Sequence, residues 1–385
     1  MDLPADKTLL VDGPAAVKVV QGAVSIYGCR LVKGRSYVLR PWRRYPLYAE
    51  QDSKVEVNLG SESIPPVVES GSTVKGWQET VEQLADEKVI AVCGPVDSGK
   101  TSFTTYAANV LVQKHGRCVV ASLDPGQSYF TPPTVVGAAV LHEPVHDLFT
   151  LRPFIQIPAG STSAASCATA VAEAAEAFVR NIPEDVCVVV DVDGWVDGAL
   201  ALSHKTLLLK IMKCSSAVVL GDEQDALRNA LTQAEIRVMS LPTSSYVKQR
   251  DHSERKKTRE WLYRKFLGKP SLKLVPATWA NIQTICRKTD ASSLLEEAAK
   301  SVAEPLGIKP EADVDPESTM AKRKIGLLAY IYDAQNTYRG LGLYLGMNRE
   351  RNVHRLLSSV EANVQRILLS KVVLSIEGDE ILQLD

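Results

Sequence analysis

The stretch KVIAVCGPVDSGKTSFTTYAANVLVQKHG, residues 88–116, decides the fold of this 385-residue chain. It begins with an apolar run, contains the pattern G-x-x-x-x-G-K-[ST] at 94–101, and continues as a helical segment that ends near Gly116. In such a strand–loop–helix unit, backbone N–H groups surround phosphate oxygens and the lysine reaches the terminal phosphates. The alternative is a chance glycine-rich turn, which the flanking strand and helix disfavour. The sequence therefore predicts a site for a nucleoside triphosphate.

The contacts with the nucleotide should come from the loop itself and from the first helical turn. We expect them at Gly94, Pro95, Val96, Asp97, Ser98, Gly99, Lys100, Thr101 and Ser102. Thr101 should also bind Mg²⁺ through its hydroxyl, which is the usual role of this motif position.

The sequence around the loop predicts an α/β domain. Apolar runs at 118–123, 186–192 and 216–221 read as strands covered on both faces. Helical patterns alternate with them, at roughly 100–115, 163–180, 199–213 and 256–267. Strands that alternate with helices of this length indicate βαβ units and a mostly parallel sheet.

Two further domains are predicted on either side. Short β-type runs fill residues 1 to about 60, and a Ser/Pro/Gly-rich stretch follows at 61–73. A polar, Pro-containing stretch near 303–320 precedes strand-like runs, with a short helix expected near 350–357. We predict an N-terminal β domain at 1–72, a P-loop domain at 73–305 and a small C-terminal β-rich domain at 306–385.

Composition excludes several classes of protein. The chain has 44 Lys and Arg against 45 Asp and Glu, so a basic site for a polyanion must be local. It has no apolar run near the ~20 residues that cross a bilayer and no secretory signal at its start, so we expect an intracellular protein that does not bind membranes. The seven cysteines are widely spaced, which favours reduced core residues over a zinc site or disulfides.

Two carboxylates compete for the chemistry. Asp124 follows the second apolar strand, where it could act as a base or merely cap the turn formed by Pro125 and Gly126. Asp191 ends a third strand at the position of a metal-side acid, and its D-x-x-G pattern also occurs in GTPases. No Asn-Lys-x-Asp motif is present to bind guanine, which weakens the GTPase interpretation.

An aromatic residue and a basic segment complete the candidates. Trp195 either stacks on a nucleobase or packs under a loop. Residues 248–269 hold nine Lys or Arg against three Asp or Glu. This segment could be a lid that presents Arg250 and Arg255 to a transferring phosphoryl group, a solvated helix face, or a patch for RNA phosphates.

Taken in order, GPVDSGKT, LDPGQSYFTPP, PAGSTS, DVDGWVDGAL, VVLGDEQ and SERKKTREWLYRKFLG resemble the polynucleotide 5′-hydroxyl kinase family. Within it they are most similar to the RNA kinase subunit associated with pre-mRNA cleavage and polyadenylation and with tRNA splicing. The resemblance covers roughly residues 5–380. It implies a P-loop kinase domain between an N-terminal β-sandwich-like domain and a smaller C-terminal domain.

The resemblance also implies an activity, cofactors and partners. The family transfers the γ-phosphate of ATP, with Mg²⁺, to the 5′-hydroxyl of RNA or DNA. Expected partners are RNA with a 5′-hydroxyl end, subunits of the nuclear cleavage and polyadenylation machinery, and the tRNA-splicing endonuclease.

Matched position by position, the resemblance assigns phosphate and metal binding to Lys100 and Thr101, and activation of the 5′-hydroxyl to Asp124. It makes Arg250 and Arg255 the lid arginines. It places Gln127, Thr162 and Trp195 in the binding of the acceptor strand.

Three residues depart from the family pattern. Ser122 stands where the family has a second acid, Val192 where it has Thr, and Asp193 where it has a small residue or Pro. The missing acid keeps open an ATP-bound scaffold subunit with little or no activity. LDPGQSYFTPP is also closer to the nucleolar pre-rRNA kinase branch, which is a further alternative.

Overall fold

The computed structural model describes residues 1–61, 64–70, 73–244, 246–285, 290–303, 320 and 324–384. The first domain has nine strands: β1 (Asp2–Leu3), β2 (Lys7–Asp12), β3 (Ala15–Gln21), β4 (Val24–Ile26), β5 (Cys29–Arg30), β6 (Ser36–Leu39), β7 (Arg44–Ala49), β8 (Ser53–Leu59) and β9 (Val67–Ser70). They form two sheets, β1-β8-β3-β6 and β5-β4-β7-β2-β9. Buried and less buried residues alternate along β3 and β7, and the buried ones from both sheets share one core. The domain is therefore a β-sandwich.

The central domain is built on one seven-stranded sheet. Its strands are β10 (Val89–Cys93), β11 (Cys118–Leu123), β12 (Val135–Leu141), β13 (Pro153–Pro158), β14 (Cys187–Val192), β15 (Ser216–Leu220) and β16 (Arg237–Leu241). The order is β13-β12-β11-β14-β10-β15-β16, and all neighbouring pairs are parallel except those that β12 makes with β11 and β13. The predicted mostly parallel sheet is confirmed.

Six helices belong to this domain: α1 (Thr73–Leu84), α2 (Lys100–His115), α3 (Ala168–Asn181), α4 (Ala199–Ile211), α5 (Asp225–Gln233) and α6 (His252–Leu267). Alternate residues of β10 go to two different cores. Ile90 and Val92 pack with α1 and α2, whereas Ala91 and Cys93 pack with α3, α4 and α5. Burial on both faces explains why the strands appear in the sequence as unbroken apolar runs.

The topology fixes where a ligand binds. From β10 the chain passes through α2 to β11 on one side, and from β14 it passes through α4 to β15 on the other side of β10. The loops after β10 and β14 therefore diverge and leave a crevice at the carboxyl ends of these strands, which is the usual ligand position in open α/β sheets.

The last sheet contains β17 (Ser271–Pro276), β18 (Asn281–Thr284), β19 (Ile325–Tyr332), β20 (Tyr338–Asn348), β21 (Val353–Ser358), β22 (Arg366–Ser375) and β23 (Glu380–Gln383), with helix α7 (Ala291–Ala303) packed on it. Its order is β17-β21-β20-β19-β22-β18, and β23 pairs with β22. The boundary predicted near residue 305 thus divides the strands of one sheet, because β17 and β18 precede it in the chain. Residues 304–319 of the predicted linker lie outside the described residues.

The helix predicted near 350–357 is wrong. Residues 353–358 form β21, along which buried and less buried side chains alternate with a period of two. Hydrogen bonds to β17 and β20 on both sides determine this conformation.

Helix α6 joins the central and C-terminal domains. Its Tyr263 and Leu267 are buried with Val135 of β12 and with Leu328 and Tyr330 of β19.

Among the helices of the described ranges, none combines the length and apolarity that a membrane span requires.

Candidate active site

The phosphate loop follows β10 and opens α2, as the motif predicts. Gly94 has φ +142°, and a Cβ there would lie 2.5 Å from the carbonyl oxygen of Leu220, so only glycine fits. Lys100 lies at the start of α2, and its ammonium donates a hydrogen bond to the carbonyl of Pro95 at 2.6 Å. Burial lowers the pKa of Lys100, although Asp191 and Asp124 oppose this. The lysine therefore lies within the loop that a triphosphate would fill.

Thr101 and Asp191 form a pair suited to a divalent cation. The Thr101 hydroxyl donates to Asp191 Oδ2 at 2.9 Å and lies 2.5 Å from the hydroxyl of Tyr129. The other carboxylate oxygen of Asp191 is buried and has no hydrogen-bond partner among the described residues. Burial raises the pKa of Asp191 to about 7. A hydroxyl and a carboxylate oxygen beside phosphates are hard ligands, and the residues present therefore fit Mg²⁺.

Asp124 directly follows β11 and lines the cleft that contains Lys100. Its Oδ1 accepts hydrogen bonds from the backbone N–H groups of Gly126 at 2.8 Å and Gln127 at 3.0 Å. Asp124 therefore does cap the turn, which was the alternative role predicted from sequence. The same two hydrogen bonds fix the orientation of its carboxylate. Desolvation and the charge of Asp193 raise the pKa of Asp124, which suits a group that takes up a proton.

The two predicted lid arginines converge on the phosphate loop. Arg250 donates to Asp97 Oδ1 from Nε at 2.9 Å and from Nη2 at 2.6 Å, and Nη2 also donates to Gln127 Oε1 at 2.6 Å. Arg255 donates to Asp97 Oδ2 at 3.3 Å. Both guanidinium groups therefore lie over the loop.

Other basic side chains of the segment have structural partners. Arg259 pairs with Glu380 of β23 at 2.8 Å, Arg264 pairs with Asp379, and Lys248 pairs with Glu254 at 2.8 Å. These acidic partners neutralise much of the local positive charge. The lid interpretation of this segment gains support, and the interpretation as a patch for RNA phosphates loses it.

The acceptor-side residues lie on loops next to the cleft. Thr162 donates from its hydroxyl to Gln383 Oε1 at 3.2 Å, and its carbonyl would lie 2.7 Å from a Cβ at Gly126. Trp195 directly follows Gly194, and Gly194 lines the cleft. The ring centroid of Trp195 lies 5.8 Å from that of His204. The 160–162 loop thus packs against the turn that carries Asp124.

The loop that carries Trp195 is anchored by a buried ion pair. Lys205 of α4 is fully buried, and its ammonium lies 2.5 Å from Asp193 Oδ1, which also accepts the backbone N–H of Trp195 at 2.9 Å. The sequence pointed to Asp193 only as a departure from the family. Lys205 lacked any signal, because a lysine on a helix normally faces water.

The cleft also has a wall that the sequence did not reveal. Tyr27, Trp42, Arg43 and Arg44 of the β-sandwich line it opposite the phosphate loop. No spacing motif marks these residues, although the cluster Trp42-Arg43-Arg44 is the densest basic-aromatic run of that domain.

A buried charge cluster holds this wall in place. Arg40 donates to both oxygens of Asp147, at 2.6 and 2.8 Å, and Tyr45 donates to Asp147 at 2.5 Å. Burial alone would raise the pKa of Asp147, but Arg40 and Arg43 hold it below its ordinary value. Because Asp147 belongs to the central domain, the cluster fixes the β-sandwich against the site.

Together these features define a P-loop nucleoside triphosphate-binding domain with two arginines over its phosphate loop. The loop lies at the switch point of a mostly parallel sheet, and a buried Thr–Asp pair and a further carboxylate stand beside it.

Comparison with known proteins narrows this class. Residues 94–269 match the family model described as the mRNA cleavage and polyadenylation factor CLP1 P-loop. The resemblance to polynucleotide 5′-hydroxyl kinases that the motifs indicated is thereby confirmed.

Relatives and solved structures agree with the family. A protein CLP1 homolog of Nematostella vectensis is 23% identical over 294 residues, which cover 69% of this chain and 67% of the relative. A polyribonucleotide 5′-hydroxyl-kinase of Pyrococcus furiosus is 23% identical over 330 residues, which cover 77% and 90%. The solved structure of a Clp1p–Pcf11p complex superposes with a TM-score of 0.71 at 15% identity, over 96% of both chains. The last similarity confirms the predicted α/β fold class with a P-loop domain.

Proposed function

We propose that this protein is an ATP-dependent polynucleotide 5′-hydroxyl kinase that transfers the γ-phosphate of ATP to the 5′-hydroxyl of RNA. The observation that carries the proposal is the convergence on one cleft of Lys100, Asp124 and the lid arginines, with the Thr101–Asp191 pair beside them. Relatives that are named polyribonucleotide 5′-hydroxyl-kinases support it.

In this mechanism the chain positions the phosphates first. The backbone N–H groups of residues 94–101 surround the β- and γ-phosphates, and the Lys100 ammonium leaves the Pro95 carbonyl to bond them. Thr101 and Asp191 would hold Mg²⁺, which supplies charge neutralisation at the phosphate oxygens. Tyr129 gives up its hydrogen bond to the Thr101 hydroxyl at that stage, because the same oxygen serves as ligand.

The transfer step then needs a base and charge stabilisation. Asp124 accepts the proton of the 5′-hydroxyl as the new O–P bond forms and the bond between Pγ and the oxygen of ADP breaks. Arg250 and Arg255 stabilise the charge on the equatorial oxygens of the transferring group. Gln127 and Thr162 orient the acceptor strand, since they lie on the turn of Asp124 and on the loop packed against it. Trp195 joins them from the loop whose Gly194 lines the cleft.

A second candidate function is an ATP-bound scaffold with little or no transfer activity. Ser122, where the family has an acid, pairs in register with Asp191 across β11 and β14. Its hydroxyl is buried without a hydrogen-bond partner among the described residues, so it replaces a carboxylate without supplying its charge. In that case ATP would stabilise a surface for a protein partner and would not turn over.

We further propose a nuclear location and a role in pre-mRNA 3′-end processing, with protein subunits of that machinery as partners. The Clp1p–Pcf11p complex, which shares the fold, supports this context. The proposal extends to subunits of the tRNA-splicing endonuclease as further partners. An alternative to the role in 3′-end processing is a role in nucleolar pre-rRNA processing.

The test is a transfer assay. Purified protein is incubated with ATP labelled at the γ-phosphate, Mg²⁺ and an RNA oligonucleotide that has a 5′-hydroxyl. We expect labelled RNA from the wild type and none from Lys100→Ala or Asp124→Asn.

Matched controls separate the two candidates. Lys210→Ala removes an exposed lysine of α4 and should keep full activity. An oligonucleotide that already carries a 5′-phosphate should take up no label. ATP that copurifies with the protein but is never transferred under any metal or substrate would favour the scaffold.

A further inference from the structure

Asp97 has an unusual position for an acid. It lies inside the phosphate loop, where a negative charge would repel a triphosphate, and it has φ +55° in the left-handed region. Its side chain is only 5% exposed, and its carboxylate contacts the segment before α6. The sequence predicts that Asp97 contacts the nucleotide as part of the loop, and its carboxylate has a further role, because it contacts both lid arginines.

Among the described residues, every hydrogen bond to the Asp97 carboxylate comes from the lid segment. Oδ1 accepts from Arg250 Nε and Nη2, at 2.9 and 2.6 Å. Oδ2 accepts from the backbone N–H of Arg250 at 3.1 Å and from Arg255 Nη1 at 3.3 Å. The Asp97 carbonyl also accepts from Gln249 Nε2 at 3.4 Å. These five hydrogen bonds fix both the backbone position and the guanidinium planes of the lid.

The remaining bonds extend this arrangement to the acceptor side. Arg255 donates to the carbonyl of Arg250 at 2.5 Å, and Arg250 donates to Gln127 Oε1 at 2.6 Å. Gln127 in turn gives its backbone N–H to Asp124. One carboxylate therefore connects the phosphate loop, both lid arginines and the turn that carries the proposed base.

Asp97 can position the two lid arginines without cancelling their positive charge. Two guanidinium groups share one carboxylate, so a net positive charge remains above the loop for phosphate oxygens to bind. A planar guanidinium held at two nitrogens keeps its orientation and still has N–H groups for a second acceptor.

We propose that Asp97 is a positioning residue, which holds Arg250 and Arg255 over the phosphate loop before ATP binds. This inference rests on the proposed kinase activity and adds to it the means by which the lid is assembled. The lid is then a preformed part of the site, and ATP does not have to recruit it.

The kinetic test compares Asp97→Ala and Asp97→Asn with wild type. Without the carboxylate the arginines lose their alignment, so kcat should fall about 100-fold in Asp97→Ala, as displacements of about 1 Å do at reacting centres. The KM for ATP should change less than about threefold, because the loop N–H groups and Lys100 remain. Asp97→Asn keeps an acceptor oxygen and should lie between the two. In a protein that already carries Arg250→Ala and Arg255→Ala, adding Asp97→Ala should slow transfer no further.

A second readout does not depend on transfer. Hydrogen exchange of the backbone amides in residues 249–255 is measured in nucleotide-free protein. Wild type should be protected, and Asp97→Ala should exchange about tenfold faster there while β10 and β14 are unchanged. Asp185→Ala, which removes an exposed acid paired with Arg117, is the matched control and should behave as wild type in both assays.

The outcomes separate the two proposals. If wild type transfers no phosphate but Asp97→Ala loses protection of 249–255, the kinase proposal fails and the positioning role stands. If protection is the same in Asp97→Ala and wild type, or if this variant weakens ATP binding as much as it slows transfer, the positioning role is overturned.

Discussion

Removing one partner of the buried pair Asp193–Lys205 should strongly destabilise the central domain. Lys205 has no exposed surface, Asp193 is 3% exposed, and their charged atoms are 2.5 Å apart. Lys205→Met keeps the aliphatic volume but leaves the carboxylate with only the N–H of Trp195 and His204 Nε2, the latter 3.9 Å away. An unpaired buried charge of this kind typically costs about 3–5 kcal/mol, and we expect a loss of that size in the free energy of unfolding.

The assay must suit a protein of several domains, whose unfolding is not one two-state transition. Native-state hydrogen exchange of the slowest amides in β10 and β14 reports the free energy of opening of this sheet directly. Asp193→Leu combined with Lys205→Met removes both charges and should recover most of the loss, since a buried pair replaced by apolar groups is often neutral.

The control is Arg180→Met, which breaks the exposed pair with Glu176 on α3 and should leave the exchange unchanged. The reasoning is refuted if Lys205→Met costs no more than Arg180→Met, or if the double variant is as unstable as Lys205→Met alone.

Three further predictions concern the reaction. The rate of transfer should rise with pH through a pKa above the ordinary range of an aspartate, because Asp124 acts deprotonated and its pKa is raised. Asp193→Leu combined with Lys205→Met, which leaves no unpaired buried charge, should move this inflection to lower pH in a pH–rate profile; an unmoved inflection would exclude the charge of Asp193 as a cause. Ser122→Asp should speed transfer and lower the Mg²⁺ concentration needed for half-maximal rate, because it places a carboxylate beside Asp191. A slower variant would contradict the idea that the acid absent at position 122 limits the reaction. Trp195→Ala should weaken acceptor binding by about 1–3 kcal/mol and leave the KM for ATP unchanged in steady-state kinetics, whereas an effect on ATP alone would contradict base stacking.

The central domain could be predicted because its signals are local. Residues 89–93 and 187–192 are buried on both faces, and such strands appear as continuous apolar runs whatever lies around them. The phosphate loop is likewise fixed by a short spacing, since only glycine satisfies the contact of residue 94 with Leu220. These features need no knowledge of distant parts of the chain.

Features that depend on distant contacts could not be predicted. The resemblance assigned Arg250 to a lid, but its contact with Asp97, 153 residues earlier, could not be predicted because no spacing links the two. Arg43 and Trp42 reach the cleft only because the β-sandwich docks through Asp147 of another domain. Strands β17 and β18 are short and partly exposed, so their membership of the last sheet is set by partners that lie about 80 residues further on.

We propose that one cleft binds both the triphosphate of ATP and the 5′-oxygen of the acceptor strand, with that oxygen next to the terminal phosphate. The most direct test is a crystal structure with a non-transferable ATP analogue, Mg²⁺ and a short RNA that has a 5′-hydroxyl. We predict the terminal phosphate within residues 94–101 and the 5′-oxygen within about 3 Å of the Asp124 carboxylate. A 5′-end bound elsewhere, with Asp124 in contact only with its own turn, would contradict this account.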